Sequence, residues 1–493
     1  MSASSRKLLQ KLAGQTMVYG LGTIVPRLLN YLLLTPFYTR VFQQGEYGTV
    51  TELYAYVAFL MVLLTYGMET AYFRFASKSG DEEKIYTTSL FSLLATSAFF
   101  IGIMLVFSPS VAGWIHYAAH PEYIVLFSLI VSIDAFCAIP FARLRQQNRP
   151  GRFAMIRIVN VLVNIGFNVF FLIVLKHLHQ ADPESFLGSM YHPEFGVGYA
   201  FVANLIATLV TLVMLLPDVV RLRWRFDRAL LREMLAYAFP MLIVGLAGMV
   251  NEVSDKVLLK YLLPDPATAL AELGVYGANY KLAVLMTLFI QMFRYAAEPF
   301  FFAQASEENA RPTYALVMKY FVIFGLIIFL GVMLFLDLVK YFIGPDFRGG
   351  LGIVPIVLMA NLFLGIFYNL AIWFKLTDRT WYGAVLAIGG AVITVIFLFG
   401  LVPRFGYVGA AWAHFACYGS MMVMSYVWGQ KHYKVPYDLK TIGFYTLVAL
   451  VLFGLSQWVT ISSLALRLGV NSLLLVLFVG VVWVKERGWV IRG

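Results

Sequence analysis

The sequence predicts an all-α polytopic membrane protein of fourteen transmembrane helices, and three observations predict it. Hydrophobic residues make up 61% of 493 residues, charged residues only 13%, and mean hydropathy is +0.79. A folded chain of this size cannot hide that much apolar surface from water. The apolar residues also come in runs of roughly 18 to 25, the helix length that crosses a hydrocarbon core of about 30 Å. The runs lack the alternation of barrel strands, and backbone groups in lipid need internal partners, which leaves helices. Finally, basic residues alternate in abundance from one connection to the next.

In chain order the spans are expected at 13–38, 50–73, 87–109, 122–143, 153–175, 196–217, 232–256, 274–297, 313–337, 351–374, 381–402, 406–428, 441–460 and 466–485. The first follows Arg6, Lys7 and Lys11; with no convincing small-residue cleavage site after it, the basic start reads as part of a retained helix. Spans two to six are bounded by polar or Pro- and Gly-containing connections. The seventh and eighth carry charges of their own, and the eleventh and twelfth are parted only by Pro403, Arg404 and Phe405. Pro26, Pro36, Pro140, Pro240 and Pro355 fall inside or at the ends of spans, where local curvature is the ordinary consequence. Cys137 and Cys417 sit in apolar runs as small hydrophobes, with no disulfide framework.

Taking alternate connections from the N-terminus, 27 of the 37 Lys and Arg residues fall on one side and 8 on the other; Arg27 and Lys281 lie within spans. The richer side is expected to face the cytoplasm, with both termini there. Gaining or losing one central helix would scramble the alternation. The same distribution absorbs the net charge of +11. The basic segments 149–157 and 221–232 are juxtamembrane, where cations meet anionic headgroups, so no nucleic-acid partner is expected.

An internal repeat organises the spans. The segment from Tyr47-Gly48 aligns without a gap on that from Tyr276-Gly277, with identities including Tyr66/Tyr295, Glu69/Glu298, Phe73/Phe302 and Ala76/Ala305. These are the second and eighth helices, so the repeat is six helices long and its copies point the same way. Parallel repeats imply a pseudo-two-fold axis along the membrane normal. The expected organisation is an N-terminal lobe at 1–228, a C-terminal lobe at 229–430, and two extra helices with a cytoplasmic tail at 431–493. Two facing lobes suit alternating access.

Ionisable groups at membrane depth usually face a cavity or a partner. Arg27, beside Pro26 in the first span, always carries its charge and can grip phosphate or carboxylate in bidentate fashion. Asn251, Glu252, Asp255 and Lys256 close the seventh helix, and Lys281 lies early in the eighth. Together they suggest a polar cavity lined by helices one, seven and eight, in which Arg27, Lys256 and Lys281 hold an anionic group. Asn30, Tyr31 and Asn251 would add hydrogen bonds. Glu252 and Asp255 are candidates for ion coupling, as is Asp134 in the fourth helix. Glu69 and Glu298 lie near the cytoplasmic ends of helices two and eight and would mark a gate; Arg294 is well spaced for an intrahelical bridge to Glu298.

No segment fits the phosphate loop GxxxxGK[ST], so the chain carries no built-in nucleotide motor. His177, His179 and His192 share a loop with acids, weak grounds for a metal. No nucleophile, base and acid can be assembled at one depth, and the loops are too short for a catalytic domain. No catalytic residue, metal or cofactor is expected.

The stretch VYGLGTIVPRLLNYLLLTPFYTRVFQQGEYGTVTELYAYVAFL carries Pro36, Phe37, Tyr38, Thr39 and Arg40, then Tyr47 and Gly48. It resembles the opening helices of polysaccharide-export flippases, the O-antigen and capsule repeat-unit translocases of the multidrug/oligosaccharidyl-lipid/polysaccharide exporter superfamily. The resemblance extends through the helix number and the extra final pair. It implies a non-enzymatic transporter in the bacterial inner membrane. Such a transporter moves a polyprenyl-diphosphate-linked oligosaccharide from the cytoplasmic to the outer leaflet, with Arg27 as the counterpart of the family's cavity cations. Partners would be that lipid-linked sugar, membrane lipids, and polysaccharide polymerase or glycosyltransferase machinery. The alternatives are an ion-coupled exporter of amphipathic cations, a lipid-II-type flippase, and a non-transporting factor in polysaccharide assembly.

Overall fold

In the computed structural model, residues 22, 24–77, 81–220, 225–305, 307, 309–458 and 462–490 are described, and they form helices without a strand among them. The basic N-terminal start, the beginning of the first span, Lys78, Arg221 and Arg223 lie outside the described residues. The helices are α1 (24–41), α2 (Gln44–Ala76), α3 (Glu82–Trp114), α4 (Pro121–Gln146), α5 (Pro150–Ala181), α6 (Gly198–Val220) and α7 (Arg228–Leu262). They continue with α8 (Pro266–Lys281 and Val284–Gln304, bent by 51° between), α9 (Ala310–Leu334), α10 (Pro345–Leu376), α11 (Trp381–His432), α12 (Leu439–Trp458) and α13 (Leu464–Val490). Among the described residues, eleven helices are long and apolar enough to cross a membrane, or twelve if the bent pair is one span.

Two of these helices are interrupted where glycine permits it. In α2, Tyr66 (φ 34°) and Gly67 (φ 75°) turn left-handed before the helix resumes at Met68. A Cβ on Gly67 would lie 3.0 Å from the Ala238 carbonyl oxygen and 3.1 Å from Met241 Cβ, so the turn also lets α7 approach. In α11, Gly406 has φ 58° and ψ −143°, a conformation essentially confined to glycine. The break falls next to the expected Pro403-Arg404-Phe405 boundary, so the two limbs of α11 correspond to the eleventh and twelfth expected spans. The bend at Leu282 and Ala283 interrupts the span expected unbroken at 274–297.

The helices group into two compact units, Met1–Val257 and Leu258–Gly493, dividing within α7. In the first, a core of Met68, Tyr72, Ile85, Tyr86, Leu90, Ile139, Met234 and Ala238 joins α2, α3, α4 and α7. In the second, Phe367, Trp373, Leu386, Cys417, Tyr418 and Met421 join α10 to both limbs of α11. Elsewhere, large apolar side chains such as Phe99, Val106, Val213, Ile396, Leu473 and Val476 remain exposed, as lipid-facing surface requires.

The two C-terminal helices pack on α9 through polar contacts. Glu486 of α13 accepts hydrogen bonds from Lys319 Nζ at 2.6 Å and Tyr445 OH at 2.8 Å. Asn471 Nδ2 donates to the Leu334 carbonyl at 2.6 Å, and Arg467 pairs with Asp337 at 2.8 Å. Lys319, inside the expected span 313–337, is buried at 5% exposure, where a carboxylate from a neighbouring helix satisfies it.

Candidate functional site

In the first unit, α1 and α5 run side by side. Gly22 lies against Ala154, where an added Cβ would be only 2.9 Å away, and Tyr38 OH donates to Asn168 Oδ1 at 2.8 Å. Asn168 is held in turn by Asn164, whose backbone carbonyl and side-chain oxygen accept from its amide at 2.8 and 2.9 Å. This polar ladder is buried, whereas Arg27, three turns back along α1, is exposed and has no acceptor among the described residues. Asn30 is half-buried with an orphaned side-chain oxygen, and Tyr31 is half-buried one residue on.

The charged end of α7 arranges itself differently from its helical spacing. Lys256 Nζ lies 3.0 and 3.1 Å from the two carboxylate oxygens of Asp255 and 3.2 Å from the Glu252 carbonyl. The Glu252 side chain is exposed rather than paired on one face with Lys256, because the adjacent carboxylate is within reach of the long ammonium stem. Asp255 and Asn251 are buried, at 0% and 4% exposure. Arg27, Asn251 and Lys256 belong to the first unit, whereas Lys281, exposed at the end of the first limb of α8, belongs to the second.

Glu69 and Glu298 each find a base inside their own unit. Glu69 Oε1 accepts from Arg145 of α4 at 2.5 Å, and Glu298 Oε1 accepts from Lys375 of α10 at 2.5 Å. The expected bridge from Arg294 to Glu298 is absent among the described residues. Arg294 instead lies over the Tyr368 ring at 3.9 Å, as Arg74 lies over Tyr237 at 4.0 Å. A ring face offers a large cation a second resting place, so helical spacing alone did not decide the pairing. Phe293, Arg294, Glu298, Tyr368 and Lys375 line a small hollow in the second unit. Helices two and four of one unit thus repeat an acid–base contact found between α8 and α10 of the other.

Asp134 meets neither an open loop nor an isolated apolar wall. Thr208 Oγ1 of α6 donates to its Oδ1 at 3.3 Å, and its charge acts on Arg157 of α5. Arg157, where the juxtamembrane segment 149–157 overlaps the expected span 153–175, lies within α5, its guanidinium 4.0 Å above the Phe141 ring. Sequence reasoning also passed over Glu52, which is fully buried in α2 and accepts from Tyr117 OH at 2.6 Å and Tyr56 OH at 3.2 Å. The signal was present: an acid inside a span, aligned by the internal repeat with Lys281.

A model of the polysaccharide biosynthesis protein family matches residues 12–304. The chain belongs to that family. No curated protein matches it. Among solved structures, this family member shares its fold with the lipid II flippase MurJ in an inward closed conformation: TM-score 0.72, 12% identity, 95% of this chain and 99% of that one covered. It is also similar to an inward-facing multidrug resistance MATE family transporter of the MOP superfamily, with TM-score 0.65, 14% identity, and 83% and 94% coverage. The MATE multidrug transporter DinF-BH in complex with R6G follows at 0.59, 16%, 86% and 95%. The expected all-α membrane fold of the MOP superfamily is therefore the observed one. A multi-pass membrane protein with a transporter's fold is what this polysaccharide biosynthesis protein presents.

Proposed function

We propose that the protein is a flippase for a polyprenyl-diphosphate-linked oligosaccharide, moving it from the cytoplasmic to the outer leaflet of a bacterial inner membrane by alternating access. The observation that carries this reading is Arg27: a permanent cation, exposed within an apolar helix and without an acceptor among the described residues. A diphosphate headgroup supplies what that guanidinium lacks. Family membership supports a polysaccharide precursor as cargo, and the MurJ-like fold supports a lipid-linked one. Asn30, Tyr31, Asn251, Lys256 and Lys281 would contact the sugar or the phosphates. The same reading takes fourteen spans: twelve when the bent α8 is one, one more from the break at Gly406, and one from α1. It places both termini in the cytoplasm, relates two six-helix lobes by a pseudo-two-fold axis, and leaves polymerase or glycosyltransferase machinery as neighbours.

The test is translocation in proteoliposomes, read as the rate at which the sugar of a polyprenyl-diphosphate oligosaccharide becomes accessible to an impermeant probe. Wild type should transfer it, and R27A should slow transfer by about tenfold or more, the value of a lost charge-assisted contact. Equal rates would remove Arg27 from the site. A second reading, export of amphipathic cations, is favoured by the carboxylates of buried Glu52 and half-buried Asp134 and by the MATE-like fold. It predicts gradient-driven export of a lipophilic cation that D134N abolishes and R27A spares.

A further inference from the structure

At its end away from Arg149 and Arg152, α5 runs into a loop whose shape is fixed by its own polar groups. Ser185 Oγ donates to the Asp182 carbonyl at 2.7 Å, the Gly188 N–H donates to Ser185 Oγ at 3.1 Å, and the Glu184 N–H donates to Asp182 Oδ1 at 3.1 Å. Farther along, Tyr199 OH accepts from the His192 N–H at 2.7 Å, and the Tyr191 ring stacks on Tyr199 at 5.1 Å. The turn closes so tightly at Gly188 that the Asp182 carbonyl leaves no room for a side chain there. A loop held in this way nonetheless leaves Phe186 (82%), Leu187 (40%) and Met190 (53%) exposed. Single exposed apolar residues are ordinary, but three on one braced turn make a patch that water penalises.

The height of that patch follows from α5. Met155, Leu162, Val169, Ile173 and Val174 are exposed along the helix, and the rise from Met155 to Val174 is about 28 Å, close to the thickness of a hydrocarbon core. Lys176 and His177 come next, as residues at headgroup level do. The loop then folds back instead of leading away. The Gly188 carbonyl returns to 2.9 Å from His179 Nδ1, and the His179 and Tyr191 rings lie 5.4 Å apart. His179 is about 7 Å beyond Val174, at the depth of the interfacial layer that adds roughly 5–7 Å to each side of the core. Phe186, Leu187 and Met190 flank Gly188 at that depth, close enough for their side chains to reach the acyl boundary. Between His177 and Val197 the chain carries Asp182, Glu184 and Glu194 and no Lys or Arg, so charge does not draw this loop to anionic headgroups.

We propose that the loop after α5 is an interfacial anchor of the first unit, its partner the lipid surface: Phe186, Leu187 and Met190 enter the boundary between headgroups and acyl chains. The hydrogen bonds around Ser185 and Gly188 hold the three side chains ready, so insertion orders little that is not already ordered. Burial of apolar area drives it, and the three acids keep the rest of the loop in water. The anchor is independent of the cargo the protein carries.

The experiment places a nitroxide on E184C, F186C or S189C of the full-length protein in phosphatidylcholine nanodiscs. Its collisions with oxygen, which concentrates in lipid, are compared with those of a water-soluble nickel chelate. Cys137 and Cys417 are buried, and the unsubstituted protein gives the labelling background. Labels at 186 and 189 should favour oxygen, and the label at 184 should favour nickel. Adding F186S, L187S and M190S to S189C should raise nickel access at 189 several-fold; L187D serves in their place if that variant does not reconstitute. Nickel access at 186 equal to that at 184 overturns the anchor, as does access at 189 that ignores the loss of the apolar side chains. A label at 186 shielded from both reagents would mean that protein, a second copy included, covers the patch, and would overturn the lipid partner. Exchange into phosphatidylglycerol should leave the depth unchanged or shallower; a deeper label there would assign the contact to charge and overturn apolar insertion.

Discussion

At the scale of single residues, the buried carboxylates show how a membrane interior treats charge. Glu486 is 7% exposed and Lys319 5%, and their 2.6 Å contact, joined by Tyr445, replaces the water each would otherwise hold. Removing one partner strands the other. E486L alone should therefore destabilise the protein by about 3–5 kcal/mol, whereas K319M combined with E486L should recover most of that loss, because an apolar pair has nothing to desolvate. Thermal unfolding in detergent reads both; equal stability of the single and double variants would show the pair to be unimportant. Glu52 follows the same rule with two tyrosine hydroxyls in place of a cation. Its burial was invisible in a sequence scanned for charge pairs at helical spacing, since its strongest donor comes from 65 residues away.

At the scale of helices, the breaks depend on glycine and the caps on short acids. G67A would place a methyl group 3.0 Å from the Ala238 carbonyl at a φ of 75°. A cost of roughly 1–3 kcal/mol is expected, read as a lowered unfolding temperature. A change within a few tenths would mean that α7 yields at that contact. Asp227 caps α7, accepting from the backbone N–H groups of Ala229 at 2.8 Å and Leu230 at 3.1 Å, and it pairs with Lys84. The Lys84 ammonium and those N–H donors hold its carboxyl below the usual aspartate range. A depressed carboxylate contributes fully above its unfolded value, near 3.9, and loses that contribution as pH falls through the lower folded value. The protection of the Ala229 and Leu230 amides, relative to the intrinsic exchange rate at each pH, should therefore fall below about pH 4 in wild type, and be low and independent of pH in D227N.

At the scale of the whole molecule, the internal repeat has a chemical counterpart. Glu69–Arg145 and Glu298–Lys375 occupy corresponding helices in the two units, although the bases differ and Glu298 was expected to pair with Arg294. Each unit also adds an arginine of its own on an aromatic ring of that same fourth or tenth helix: Arg157 over Phe141 in the first and Arg294 over Tyr368 in the second. The shared pairs suit a structural role. E298Q should then leave the translocation rate within about threefold of wild type while lowering stability by about 1 kcal/mol. A large loss of transport in a stable E298Q protein would assign that carboxylate to the transport cycle.

Composition and run length determined on their own that this chain is an all-α membrane protein, because lipid leaves helices no alternative and hydropathy is a property of consecutive residues. The Pro403–Phe405 boundary was legible for the same reason. Which acid meets which base was not: Lys256 turned to its neighbour, Arg294 to a ring, and Glu298 to a lysine 77 residues away. Nor did sequence separation reveal that Arg157 of α5 would rest on the ring of Phe141 in α4. Those choices depend on which helices lie side by side and in what register, and only the tertiary packing of α1 on α5, α2 on α4 and α8 on α10 decided them.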